Sequence, residues 1–192
     1  MILNGPNIIT VSRIGIIPLI VGMFFLESST GQWIACGLFA LASFTDYIDG
    51  YLARAMNQTS SFGTFLDPVA DKLLVVCALF MMTGFGQISG STVIPAILII
   101  SRELIVSGLR EFLAGLSVKI PVRRLAKWKT MVQMVAISLL IIGDSAHPFI
   151  PEVFPLRLIG EIGLYIAAII TLITGYDYLR TSLRYILSSD KA

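Results

Sequence analysis

Four aspartates stand where an apolar chain has no ordinary use for them. Asp46 and Asp49, then Asp67 and Asp71, interrupt two otherwise hydrophobic stretches. One charged residue at the centre of a membrane helix costs about 2.5–3.5 kcal/mol on insertion scales. Four central ones would cost roughly 10 kcal/mol, and less near the interface. Their spacing is regular. Asp46, Asp49, Gly50 and Ala53 fall at i, i+3, i+4 and i+7, one helical face. Gly63, Asp67 and Asp71 fall at i, i+4 and i+8, again one face. Carboxylates at close range do not all ionise without counter-charge, and Arg54 and Lys72 are too few within this hairpin. One hard divalent cation suits an all-oxygen ligand set, and two suit it better. Gly50 and Ala53 leave room for a ligand against the backbone, and Arg54 offers a planar fork for a phosphate. Two other readings stand beside this one. Acids paired with bases for packing would not select small residues at 50 and 53. A cation or proton pathway is the stronger rival, because acids within membranes often mark such routes.

The elements that must hold these residues are apolar spans. A spanning helix needs about 20 mainly apolar residues, and six stretches qualify: Ile8 to Leu26, Trp33 to Ile48, Phe62 to Phe85, Val93 to Leu109, Met131 to Ile142 and Leu156 to Tyr178. The fifth is short unless Trp128 and its neighbours extend it. A polar turn, Asn57-Gln58-Thr59-Ser60, joins the second and third as antiparallel neighbours, so their cytoplasmic halves can gather all four carboxylates. Pro68 bends the third helix and leaves the Thr64 carbonyl without its usual partner.

Composition agrees. Of 192 residues, 56% are hydrophobic and 14% charged, with a mean hydropathy of +0.85. A soluble domain carries about 25% charge. This excludes a disordered segment, a nucleic-acid module and a secreted disulfide scaffold. It leaves a single-domain, all-α integral membrane protein over residues 1–192. Cys36 and Cys77 lie in apolar stretches and read as small buried hydrophobes, and His147 reads as a loop residue. The first stretch lacks a basic n-region and a clear cleavage site, and so reads as a retained helix rather than a signal peptide. With six spans, one side collects Arg54, Arg110, Lys119, Arg123, Arg124, Lys127, Lys129, Arg180, Arg184 and Lys191, while the other has only Arg157. That asymmetry places both termini of a multi-pass chain in the cytoplasm.

In order, the acidic stretch is Asp46-x-x-Asp49-Gly50-x-x-Ala53-Arg54, eight residues, then Gly63-x-x-x-Asp67-x-x-x-Asp71. It resembles the signature of the CDP-alcohol phosphatidyltransferases, with every defining position filled. The resemblance implies six transmembrane helices, a homodimer, and transfer of a phosphatidyl group from CDP-diacylglycerol to an alcohol with release of CMP. It implies that Asp46, Asp49, Asp67 and Asp71 hold two Mg²⁺ or Mn²⁺ ions and that Asp71 is also the general base. It places Gly50, Ala53, Arg54, Ser60 and Gly63 against the CDP-diacylglycerol. The chemistry is coherent: two cations neutralise a pyrophosphate and stabilise departing CMP, and a neighbouring carboxylate takes the acceptor's hydroxyl proton. All four acids come from one hairpin at one side, whereas transporter sites tend to lie at the midplane between repeats.

Further segments resemble the branch of this family whose acceptor is sn-glycerol 3-phosphate: Pro6 to Arg13, Leu66 to Lys72, Ser101 to Arg110 and Ala126 to Thr130. The last departs from the usual Gly-Lys-x-Lys-Thr at Ala126. A phosphorylated acceptor needs cations beside anionic lipid phosphates. Arg102 and Arg110 are eight apart on one face, and Arg102 is costly there unless it faces a polar cavity or pairs with Glu103 or another acid. Lys127 and Lys129 open the fifth helix. Arg110 and Lys129 are the expected acceptor-phosphate ligands, with Arg102 and Lys127 in support. Ordinary positive-inside charge accounts for Arg123 and Arg124. Asn7, Thr10 and Arg13 share a face and either meet the nucleotide, Thr10 foremost, or cap and anchor the first helix. Other acceptors, among them inositol phosphate, serine and phosphatidylglycerol, remain open by sequence. Gly160 and Gly163 of the sixth helix allow close packing.

Overall fold

A computed structural model describes residues 5–56, 61–116, 118, 125–143 and 154–189. Among these, helices and short turns account for the whole chain, with no strand. The helices are α1 (Gly5–Phe24), α2 (Ser29–Met56), α3 (Ser61–Gly84), α4 (Val93–Gly115), α5 (Leu125–Ile142) and α6 (Leu156–Ser189), with a 3₁₀ turn at Gly90–Thr92 before α4. His147 lies outside the described residues.

Each of the six predicted stretches falls on its own helix; the first and third overrun the ends of α1 and α3 by two residues and one, while α2, α4, α5 and α6 extend beyond their apolar runs. The fifth extends to Leu125, past Trp128 and Lys129. The sixth continues eleven residues beyond Tyr178 to Ser189. At 1.5 Å per residue, its 34 residues reach about 51 Å, well over the roughly 30 Å of a hydrocarbon core. Hydropathy marks how much of a helix lipid can cover, not where the helix stops. Among the described residues, Gly90–Gly115 and Leu156–Leu187 are long and apolar enough to cross a membrane; Thr10–Phe24 and Trp128–Ile142 are shorter apolar helices.

Local chemistry explains the turns. The Ser28 hydroxyl accepts the Gly31 N–H at 3.0 Å, capping α2 at its third helical position. Gly31 is required there, because a Cβ would stand 2.7 Å from the Met23 carbonyl oxygen. Past α3, Gly86 takes a positive φ of 73°, and the Ile88 N–H reaches back to the Met82 carbonyl. Both features follow the usual glycine-terminated helix end.

Helix α1 packs broadly against both α2 and α3, whereas the described parts of α2 and α3 touch each other at few positions. The sequence treats the second and third helices as the neighbours; the structure adds α1, which packs broadly against both. Elsewhere α5 and α6 form the most extensive pair, α4 lies against α6, and α2 against α5. Gly160 and Gly163 serve that α5–α6 contact within the chain. A Cβ on Gly160 would meet Leu140 at 2.8 Å, and one on Gly163 would meet the Ala136 Cβ at 3.0 Å.

Unlike a soluble bundle, the helices are apolar on the outside as well as within. Many interior positions are small: Ala35, Ala42, Ala70, Ala78, Ala136 and Ala167 are all buried. Large apolar groups face outward, among them Phe25, Phe80, Ile97, Leu104, Phe112 and Ile173. Small residues let helices approach closely where packing rather than water expulsion holds them together. Cys36 is buried and Cys77 half-buried, both as free thiols against the core, which agrees with their reading as small hydrophobes.

Candidate active site

Helix α2 is continuous through residues 46–54, and α3 through 63–71. The helical spacing that places the acids on one face of each is therefore present in the backbone. The side chains of Asp46, Asp49, Gly50, Ala53, Arg54, Gly63 and Asp67 lie outside the described set, and Ser60 lies outside it altogether. Asp71 is described. Its Oδ1 accepts a hydrogen bond from Arg13 Nη1 at 2.8 Å, an ion pair between α3 and α1. The two ends differ sharply: the Arg13 side chain is 1% exposed, the Asp71 carboxylate 40%.

That pair decides part of the first-helix question. Thr10 and Arg13 are both buried, and Arg13 reaches the acidic hairpin as a counter-charge. Counting cations within the hairpin alone misses it. The Asn7 side chain lies outside the described set. Lys72, the other nearby cation, turns back along its own helix and donates to the Pro68 carbonyl at 2.7 Å.

The donor chemistry at this end fits hard divalent ions. Four aspartates supply only oxygen ligands, and the one described carboxylate is solvent-accessible and already attracts a cation. Among the described residues there is no cluster of three or more potential metal ligands, and three of the four carboxylates lie outside that set.

A second polar cluster forms where α4, α5 and α6 meet. Glu103 Oε1 is shared by two cations: Lys129 Nζ, which donates a hydrogen bond to it, and Arg102 Nη1 at 3.6 Å. Arg102 Nη2 donates to Thr174 Oγ1 on α6 at 3.1 Å. The sequence expectation that Arg102 pairs with Glu103 is therefore met, and the same carboxylate also takes Lys129. Lys129 is itself buried, so its role begins as an ion pair inside the bundle rather than as an open surface cation. Gly175 makes room: a Cβ there would lie 2.8 Å from Arg102 Cγ and 3.2 Å from its Nε. Arg110 is exposed, with its guanidinium carbon 5.9 Å from the centre of the Tyr178 ring, within cation–π range. The Lys127 side chain lies outside the described set.

Sequence reasoning missed Glu103 as a shared anion and the α6 residues Thr174, Gly175 and Tyr178. A signal was present. Thr171, Thr174, Gly175, Tyr178 and Ser182 follow i, i+3, i+4, i+7 and i+11, a small and polar face on an apolar helix.

Comparison with known proteins accords with this arrangement. Residues 3–174 match the CDP-alcohol phosphatidyltransferase family. A Rickettsia bellii protein is 46% identical, with 95% of this chain and 97% of that one covered. Relatives from Cereibacter sphaeroides and Haemophilus influenzae are 39% and 40% identical, with 94% and 93% of this chain and 96% and 93% of theirs covered. All three are named CDP-diacylglycerol–glycerol-3-phosphate 3-phosphatidyltransferase. The chain belongs to the CDP-alcohol phosphatidyltransferase family, which is a family of membrane enzymes.

Proposed function

We propose that this chain transfers a phosphatidyl group from CDP-diacylglycerol to sn-glycerol 3-phosphate, giving phosphatidylglycerophosphate and CMP. The observation that carries the reading is end-to-end similarity to enzymes so named. A cationic cluster of Arg102, Arg110 and Lys129 supports it, since a phosphorylated acceptor requires one.

Asp46, Asp49, Asp67 and Asp71 would hold two Mg²⁺ or Mn²⁺ ions, which supply positive charge to the pyrophosphate as CMP departs. Asp71 accepts the acceptor's hydroxyl proton on its carboxylate while that oxygen attacks the lipid-side phosphorus. Arg13 keeps that carboxylate oriented from α1. Gly50, Ala53, Arg54, Ser60, Gly63 and Thr10 receive the CDP-diacylglycerol, with Asn7 and Arg13 beside them. Arg110 and Lys129, supported by Arg102 and Lys127, bind the acceptor phosphate. In this reading the chain spans a cell inner membrane six times with both termini cytoplasmic, as a homodimer. The acyl chains stay in lipid while the acceptor arrives from water.

The test is CMP release by detergent-purified protein with CDP-diacylglycerol, Mg²⁺ and labelled sn-glycerol 3-phosphate, with inositol phosphate, serine and phosphatidylglycerol in parallel. Release that depends on glycerol 3-phosphate, with label entering lipid, is expected. Release with a different acceptor overturns the substrate, and none with any acceptor overturns the reaction.

The acceptor site has its own test in Arg110. Hydrogen bonds to charged groups are worth about 1.5–3 kcal/mol. Arg110→Ala is therefore expected to raise the KM for glycerol 3-phosphate by roughly 10- to 100-fold, with that for CDP-diacylglycerol nearly unchanged. The opposite pattern refutes this placement of the phosphate.

A further inference from the structure

We propose that Glu103 is a positioning residue for the acceptor site: its carboxylate sets Lys129 and Arg102 where α4, α5 and α6 meet, so that their remaining donors face the acceptor's phosphate. The inference rests on the function proposed above and extends it to a residue that carries no obvious chemistry of its own.

The geometry is specific. One oxygen, Glu103 Oε1, engages a cation from its own helix and a cation from α5. The Arg102 and Glu103 side chains are 14% and 19% exposed, and Lys129 is 6% exposed. Two cations this close and this dry repel one another unless an anion stands between them. Glu103 is that anion. Arg102 is also fixed on α6, through Thr174 and against Gly175, so the carboxylate ties α5 to a guanidinium already tied to α6.

Donor capacity remains after these contacts. An ammonium has three N–H groups and a guanidinium five. Lys129 gives one to Glu103, and Arg102 gives Nη2 to Thr174 while its Nε is enclosed against Gly175, so the donors left over are Lys129's other N–H groups and the remaining Nη hydrogens of Arg102. Arg110 falls seven residues after Glu103 and eight after Arg102, on the same side of α4. Glu103 itself does not meet the phosphate, since two anions in contact repel. Its effect passes through the cations it holds, and this separates a positioning role from a catalytic one.

The split between substrates tests this. In CMP release with the full-length purified protein, Glu103→Gln is expected to raise the KM for glycerol 3-phosphate about tenfold or more, with that for CDP-diacylglycerol within about twofold. Glu103→Asp keeps the charge and is expected to recover most of the loss. Lys129→Met is expected to raise the acceptor KM likewise, and Glu103→Gln with Lys129→Met to be no worse than Lys129→Met alone. A wild-type acceptor KM in Glu103→Gln, a lowered one, or equal rises for both substrates would overturn the proposal. If Glu103→Gln fails to fold, the double variant decides, because it removes one charge of each sign. An additional tenfold loss over Lys129→Met that persists when Arg102→Met is added to both variants would show Glu103 acting independently of its cations and overturn the proposal. Calorimetric titration with inorganic phosphate reads the same site without turnover: weaker binding in the Glu103 variants supports the role, and equal binding overturns it. If wild-type protein binds phosphate but releases no CMP with glycerol 3-phosphate, the failure lies in the assigned reaction and not in Glu103.

Discussion

Asp71→Asn is expected to lower CMP release by about 10³-fold or more while leaving the helices in place. A positioned general base contributes roughly 10²–10⁴ in rate, and the same substitution removes a charged oxygen ligand from the acidic hairpin. Asparagine is nearly isosteric, so packing of α3 is preserved. The change is electrostatic: Arg13, 1% exposed, loses the carboxylate 2.8 Å away. Breaking a fully buried pair costs about 3–5 kcal/mol, and this one falls below that because the Asp71 carboxylate is 40% exposed. Some thermal stability is therefore lost together with activity. Arg13→Met separates the two effects, since it removes the pair but leaves the base. Because Arg13 also orients that carboxylate in the proposed site, Arg13→Met is expected to lower the melting temperature and to reduce turnover far less than the roughly 10³-fold loss in a folded Asp71→Asn. Near-wild-type turnover in Asp71→Asn would end its assignment as base.

Removing divalent cations is expected to abolish CMP release, and adding Mg²⁺ or Mn²⁺ to restore it. The reason is charge. Four aspartates share two helix faces, and in the proposed reaction the lipid donor brings an anionic pyrophosphate to them. Two unit charges 4 Å apart interact by about 4 kcal/mol at an effective dielectric of 20, so several unscreened pairs would exclude the substrate. Arg13 offsets the Asp71 carboxylate. Titrating metal back into chelator-treated protein should give a sigmoidal recovery if two ions act together. Thermal stability should rise with added metal, because a ligand that binds the native state alone stabilises it. Full turnover in excess chelator would remove metal ions from the proposal.

The helices were legible because hydropathy is a local property. The predicted starts at Val93 and Leu156 coincide with those of α4 and α6. The start of α5 was obscured because Lys127, Lys129 and Thr130 break the apolar count, although backbone hydrogen bonding continues through them. The acidic signature was legible for a similar reason: its residues fall at fixed helical offsets. The partners were not. Arg13 and Asp71 are 58 positions apart, and Arg102 and Thr174 are 72 apart. No periodicity within a helix encodes which distant face it meets. Charge counting assigned Lys129 to a side of the membrane as it did Arg123, yet Lys129 is buried against Glu103. Its environment depends on α4, which its own segment does not reveal.

The ion pair between α1 and α3 also bears on how the chain is made. Ribosomes add about 5–20 residues per second, so the 58 positions between Arg13 and Asp71 take about 3–12 s to appear. Throughout that interval the Asp71 end of this ion pair has not been synthesised. An arginine in an apolar helix is costly at the centre of a bilayer and is favoured near the headgroups, where its long side chain reaches water. The contact that joins α1 to α3 through this pair therefore closes only once the third helix has been made.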